Sequence, residues 1–560
     1  MYKFICHDNK YESYEYVETK TFQPIHGIVK ENPKETKLFM NDVFDYQDDK
    51  FCLVHSNIRS NKMIPGILDL QITHGKEKQK FLYLCKPDDK RIPFFLIPYQ
   101  KQLNFDKSIK KIYITFEYKH WDFERPYGKI NQNLGSIDVL AHYYEYVLYC
   151  KTLNISIQKF TKETKQRLQN ESEEMIVNKI VEKYNIPVRN KRDYYIFTVD
   201  NQQSNDYDDA LSFHPDERKI SIYISNVALI MDELELWKAF TNRVSTIYLP
   251  DKKRTMLPTI LIDTLCSLKE KQYKLCYVLD VFYDEKGHII KHAFSHCKAY
   301  IAKNISYNSV EDIERLQFSL KSMLSLLHLK NPKQLVTKMM LLFNHLIACK
   351  MREYKEGIFK SLHQESVKIE TQMPQHVYEH IYILKNNASQ YCLYSENISY
   401  VSKNHKEIDI YAQATSPIRR LVDLLNNIVI KKYIVGIQMT PECDVFYNHW
   451  TDDTHLEEIN IASRAIRKIQ SKCAIYENYE KQGKQTTYKG YVFDKVYKTG
   501  DDKYQYMVYI DSLNLTTYVT LVEELENYSS HYFSLYVFMS EENDKKKIKL
   551  QLCYENKDLI

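Results

Sequence analysis

No two of the 12 cysteines stand as a Cys-x-x-Cys pair, so neither a zinc site nor a disulfide framework is indicated. A reducing compartment follows as the default. No uninterrupted apolar run reaches the roughly 20 residues needed to span a membrane. The opening stretch, Met1-Tyr2-Lys3-Phe4-Ile5-Cys6-His7-Asp8, lacks the apolar core of a secretion signal. A cytoplasmic chain without membrane contact is therefore expected. Neither sign of charge dominates: 78 Lys and Arg face 73 Asp and Glu, for a net +5. Any nucleic-acid channel would have to concentrate its positive charge locally. Glycine is scarce at 11 while tyrosine reaches 47, a balance we read as the coding bias of an AT-rich genome. So many tyrosines are mostly ordinary core and surface residues. With 560 residues and 44% hydrophobic content, the chain suits about three to five folded domains.

The most informative stretch is acidic. Asp200, Asp206, Asp208 and Asp209 fall within ten residues, directly after the apolar run Tyr194-Tyr195-Ile196-Phe197, which reads as a buried strand. Four like charges so close repel one another unless a cation sits among them. Carboxylates with polar spacers supply the oxygen donors that Mg²⁺ prefers. A calcium loop of the EF-hand type is the nearest rival. It fails for want of the glycine at the sixth position and the closing glutamate. Phosphoryl chemistry fits better, because two metal ions about 4 Å apart can hold the attacking and leaving oxygens of an in-line displacement.

Some two hundred residues downstream stands Ala412-Gln413-Ala414-Thr415-Ser416-Pro417-Ile418-Arg419-Arg420-Leu421. Thr415 or Ser416 can cap a helix whose first turn holds Pro417. Ile418, Leu421, Val422, Leu425, Ile428 and Val429 then recur at helical spacing. Arg419 and Arg420 would stand at a helix N-terminus, where cations are disfavoured unless an anion binds there.

The two stretches together resemble the signatures of the RNB family, the ribonuclease II and ribonuclease R type of exoribonuclease. The Asp-x5-Asp-x-Asp-Asp run and the Thr-Ser-Pro-Ile-Arg turn are both intact. Between them, in the family's order, lie Ile224-Ser225-Asn226-Val227-Ala228, then Tyr248-Leu249-Pro250, Met256-Leu257-Pro258 and Leu265-Cys266-Ser267-Leu268. Met340-Leu341-Leu342-Phe343-Asn344 looks like the family's long helix, and Gly357 to His363 like the strand after it. The resemblance implies a processive 3′→5′ exoribonuclease that hydrolyses single-stranded RNA to nucleoside 5′-monophosphates by two-metal catalysis. Asp200, Asp206, Asp208 and Asp209 would hold Mg²⁺, or Mn²⁺ in its place, with Asp206 and Asp208 also orienting the attacking water. Asp200 and Asp209 would be the direct ligands. Arg419 would stabilise charge on the phosphoryl group. Tyr248 would stack on a base near the 3′ end, and Arg420, Ser416, Thr415 and Lys338 would face the substrate. The chain departs from the family in three places. Lys338 replaces an acidic residue of the long helix, Gln413 replaces a histidine, and the Arg-Gly-Ala-Leu hairpin is missing. Lys338 and the missing hairpin support a rival reading, a catalytically impaired RNA-binding scaffold. DNA as substrate is a third option.

The expected fold is multidomain α+β. Residues 1–62 and 63–125 would form two OB-like cold-shock barrels, and 126–185 a partly helical connector with helices at Val139–Tyr149 and Thr161–Tyr184. Residues 186–440 would form an α/β RNB catalytic domain, 441–486 a helical linker, and 487–560 a divergent C-terminal OB domain. Asp89-Lys90-Arg91-Ile92-Pro93, with Trp121, Pro126, Gly128 and Leu134-Gly135, resembles the second cold-shock domain of eukaryotic exosome-type members. No endonuclease domain, and so no such activity, is expected before it. The run Lys545-Lys546-Lys547 reads as exposed charge or a phosphate contact. A monomer with RNA as its partner and no obligate protein partner is expected.

Overall fold

A computed structural model of the chain describes residues 1–25, 33–47, 50–100, 108–169, 171–202, 204–307, 314–361, 373–374, 376–378, 380–381, 390–396, 398, 408–482, 487–500, 502–540 and 544–553. The chain divides into two compact units, one of residues 1–154, 249–251 and 468–560, the other of 155–248 and 252–467.

In the first unit, Ile64–Glu77, Lys80–Pro87, Phe95–Tyr99, Lys111–His120 and Tyr127–Ser136 close into a five-stranded barrel. The first strand pairs with the second and fourth, while the third meets the fifth in parallel at Leu96 and Tyr127. That order is the OB fold. The boundary expected at 125 is therefore too early, because the closing strand begins at Tyr127. Its alternation is weak (Tyr127-Gly128-Lys129-Ile130-Asn131-Gln132-Asn133), which hid it from pattern reading. Residues before 62 form a four-stranded antiparallel sheet and, among the described residues, not the closed barrel expected. Phe39 stacks on Phe95 of the barrel, and Phe4, Phe44, Leu68 and Phe116 belong to the same core. That sheet leans on its neighbour instead of enclosing an interior of its own.

The C-terminal strands run Thr487–Lys498, Lys503–Ile510, Leu515–Leu521, Ser530–Met539 and Lys546–Cys553. Their spatial order, third-second-first-fourth-fifth, is an OB sheet left open between third and fifth strands. Of the basic run that leads into the last strand, Lys545 is held within the fold while Lys547 is exposed. Lys545 pairs with Asp88 at 2.7 Å, and the preceding Asp544 accepts from Lys86 at 2.8 Å and Lys111 at 2.6 Å.

The second unit is built on a six-stranded mixed sheet. Ile196–Asp200 lies between Ile289–Ser306, in parallel, and Asp209–His214, antiparallel. Lys219–Ser225 and Gln272–Tyr283 follow, and the latter pairs back onto the 18-residue strand Ile289–Ser306. Five strands thus form a ring around Ile196, Ala210, Tyr223, Val278 and Ile301. The connector holds three helices, not two: Leu140–Cys150 in the first unit, then Gln158–Leu168 and Glu173–Tyr184. Ser172 splits the expected second helix by accepting the Met175 N–H as an N-cap. The long helix is Pro332–Tyr354, capped by Asn331. Gly357, at φ +113°, turns the chain from that helix into Ile358–Ser361, and a Cβ there would stand 2.9 Å from Met351 Sδ. Residues 362 and 363 of the expected strand lie outside the described residues. No helix among the described residues is long and apolar enough to cross a membrane.

Candidate active site

Asp200 ends its strand and Asp209 begins the neighbouring one, so strand pairing alone brings the two ends of the acidic run together. The loop between them is pinned from below. Tyr207 donates its N–H to Ser267 Oγ at 3.0 Å, and Leu268 N–H returns to the Tyr207 carbonyl at 2.9 Å. Asp208, only 3% exposed, accepts the Ile418 N–H and Arg419 Nε, each at 2.9 Å. The acidic loop and the arginine turn, 210 residues apart, therefore meet through one carboxylate.

The arginine turn is not the helix start expected from its sequence. The helix runs Leu421–Val429, and Arg420 at its N-cap position is extended, forming a bridge with Ser245. Thr246 N–H donates to the Arg419 carbonyl, and Leu421 N–H to Val244. These bonds hold Arg419 in a turn outside the helix, where the unfavourable dipole acts less on it. Thr415 and Ser416, expected at the substrate, are each 3% exposed and serve the turn instead. Thr415 Oγ1 accepts from Asn344 Nδ2 of the long helix, and Ser416 Oγ accepts from Arg419 Nη2 at 3.1 Å. Asp423 Oδ1 takes both the Ser416 N–H and Arg420 Nη2. The fully buried Asn426 and Asn427 donate to the carbonyls of Gln413 and Ala414. Asp423, Asn426 and Asn427 on this helix thus help fix the approach to Arg419.

Tyr248 and Lys253 face each other across the short ladder Ile247–Tyr248/Lys253–Arg254. The Tyr248 hydroxyl lies against Arg419 while its ring remains half-exposed. Lys253 Nζ stands 2.8 Å from both oxygens of Asp206. Lys338 is not among these groups. It is exposed on the long helix and lines an open groove of about 680 Å³ with Asn331, Lys333 and Gln334.

Electrostatics single out three of the four aspartates. Burial, and then the charge of Asp208, pushes Asp200 up to about 6. Burial also brings Asp208 to about 6, against the pull of Arg419 and the Ile418 N–H. Asp209 is raised well above the ordinary carboxylate range by burial, then by Asp200 and Asp208. Burial works against the charge on Arg419, but Asp208, Tyr248 and Asp209 outweigh it and raise its pKa. Among the described residues no three His, Cys, Asp or Glu side chains gather into a cation cage. The donor set nonetheless fits magnesium, which takes one or two carboxylates and completes its shell with water and substrate oxygens. Asp208 and Asp206 are matched by Arg419 and Lys253, which leaves Asp200 and Asp209 for such an ion.

Behind Arg420 lies a second basic group that the sequence reading did not find. Lys360 is held down to about 8 by burial, then by Arg467 and Arg420. The strand carrying Lys360 pairs with Tyr391, whose backbone is clasped by Asn460; Arg467 lies two helical turns beyond Asn460 on the same face. Asn344, Ser267 and Asp423 were visible only as members of apolar motifs, and nothing in the pattern marked Lys253.

The family model for the RNB domain matches residues 188–330, and that for the Dis3-like cold-shock domain 2 matches 82–150. Over residues 188–330 the chain is therefore similar to the RNB domain. The matched span includes the four aspartates and Tyr248 and ends before Arg419. Ribonuclease R of Mycoplasmopsis pulmonis is 29% identical over 141 residues, 25% of this chain and 19% of that relative. Ribonuclease R of Aquifex aeolicus is 31% identical over 105 residues, 18% of this chain and 15% of its own length. The aligned part thus spans about a fifth or less of these curated relatives. Among solved structures, Mycoplasma genitalium RNase R in complex with ribose-methylated single-stranded RNA matches with a TM-score of 0.66 at 15% identity, covering 98% of this chain and 96% of that one. Yeast Ssd1, a pseudonuclease, matches with 0.57 at 14% identity, over 90% of this chain and 72% of its own. Both likenesses place the fold: OB-like and RNB domains in one multidomain chain.

Proposed function

We propose that this protein is a Mg²⁺-dependent exoribonuclease that trims single-stranded RNA from its 3′ end, processively, to nucleoside 5′-monophosphates. The observation that carries the reading is the clasp of Asp208 by Arg419 beside two further, partly buried carboxylates. Asp200 and Asp209 hold the cation, with Mn²⁺ able to replace Mg²⁺. Divalent ions so held supply charge that steadies the attacking and leaving oxygens, in the two-metal manner expected of the family. Asp208 keeps the Arg419 guanidinium oriented, and Arg419 meets the charge that develops on the phosphoryl oxygens. Asp206 and Asp208 orient the attacking water. Tyr248 stacks on a base near the end of the strand, and Arg420, with Lys360 and Arg467 behind it, draws in the phosphate backbone.

A second reading, an impaired enzyme retained as an RNA-binding scaffold, is favoured by one observation: Asp206 is already occupied by Lys253. End-labelled RNA and DNA oligonucleotides incubated with Mg²⁺ separate the two. Mononucleotide release from RNA alone, abolished by Asp208→Asn, supports the enzyme. RNA binding without release supports the scaffold, and equal trimming of DNA removes the preference for RNA.

Tyr248→Ala tests the stacking role. Losing a base–aromatic contact costs about 1–3 kcal/mol of grip on the final nucleotides. The limit product on a sequencing gel is expected to lengthen, while release from a long RNA slows far less. An unchanged final length would return Tyr248 to the role of a packing residue.

A further inference from the structure

Two of the four aspartates are already matched by cations of the chain itself. Arg419 takes Asp208, and Lys253 takes Asp206 with both carboxylate oxygens at 2.8 Å. This second pair is not an ordinary surface bridge, since the Asp206 side chain is only 8% exposed. Lys253 is placed by backbone pairing with Tyr248, and Tyr248 in turn lies against Arg419. One short ladder therefore delivers an ammonium group and an aromatic ring to the same group of carboxylates. We infer that Lys253 supplies the second positive centre of this site, so that the site takes one divalent ion, on Asp200 and Asp209, instead of two.

The inference rests on the nuclease reading and replaces the second ion of its two-metal manner with the Lys253 ammonium. An ammonium is a compact, strongly hydrated point charge with three donors, suited to a carboxylate and a phosphoryl oxygen together. Its pairing with Asp206 is electrically neutral, so the pull that would draw a second divalent ion to that side is gone. A single magnesium needs no more than two carboxylates, its shell being completed by water and substrate oxygens. Lys253 also positions Asp206, fixing which way its oxygens face.

Equilibrium binding of Mn²⁺ to the whole chain tests this, read by electron paramagnetic resonance or by calorimetry and without RNA. The wild type is expected to bind one ion per chain. Lys253→Met, which keeps the length and removes the charge, is expected to bind two, and Lys253→Arg one. Two ions in the wild type, or one ion still in Lys253→Met, overturn the assignment. The wild-type stoichiometry decides the matter even if Lys253→Met fails to fold. No Mn²⁺ bound by the wild type defeats the metal-nuclease reading as a whole, whereas two ions defeat only the role given to Lys253.

Discussion

Arg419→Ala is expected to slow mononucleotide release by roughly 10²–10³-fold, the usual cost of removing one preorganised charge from a transition state. Single-turnover digestion of end-labelled RNA measures this, with RNA affinity determined separately in Ca²⁺. The loss should fall on the chemical step and leave affinity within about threefold, because one phosphate contact among many contributes little to the whole. Arg419→Lys should rescue only part of the rate. Lysine keeps the charge but lacks the planar fork whose separated Nε and Nη2 now reach Asp208 and Ser416. Full activity in Arg419→Ala would remove the guanidinium from the reaction.

Asp209→Asn should move activity and stability in opposite directions. Losing one of the two carboxylates left to hold the ion should cut turnover by on the order of 10³-fold, given the several kcal/mol that metal catalysis supplies. The same change removes a charge forced into a buried, like-charged setting. In EDTA at pH 7 the variant is therefore expected to melt above the wild type. The sign follows from the shifts. Asp200 and Asp208 titrate near 6 in the folded state, above their unfolded values, so folding takes up protons. Stability of the metal-free protein should accordingly rise as pH falls from about 6 towards 4, until other groups intervene. Saturating Mg²⁺ should remove that rise by meeting the same charge. A metal-free melting point that falls steadily on acidification from pH 7 would contradict this account.

Where residues adjacent in sequence act together, the site was legible. The aspartate run, the turn around Arg419 and the helix after it all advertise themselves by spacing. The alternating strands marked the β-rich regions, although the first proved an open sheet and the weakly alternating Tyr127–Ser136 strand hid the true boundary of the second. Three things escaped, each for a physical reason. Thr415 and Ser416 look like a helix cap by local preference, but the long-range bridge between Ser245 and Arg420 holds the chain extended until Leu421. Lys253 reads as one of several charged residues in a loop. Only pairing with Tyr248 aims it at Asp206. Lys338 carried weight as a substitution in a family position, but it lies on the exposed side of its helix.

The anchoring of Asp544 bears on how the protein is made. Its carboxylate is 4% exposed and neutralises Lys86 and Lys111, which leave the ribosome more than four hundred residues earlier. Until Asp544 emerges, Lys86 lacks this partner and Lys111 has Asp69 at 3.8 Å in its place. A chain cut short before Asp544 would leave Lys86 without this partner and weaken the early barrel.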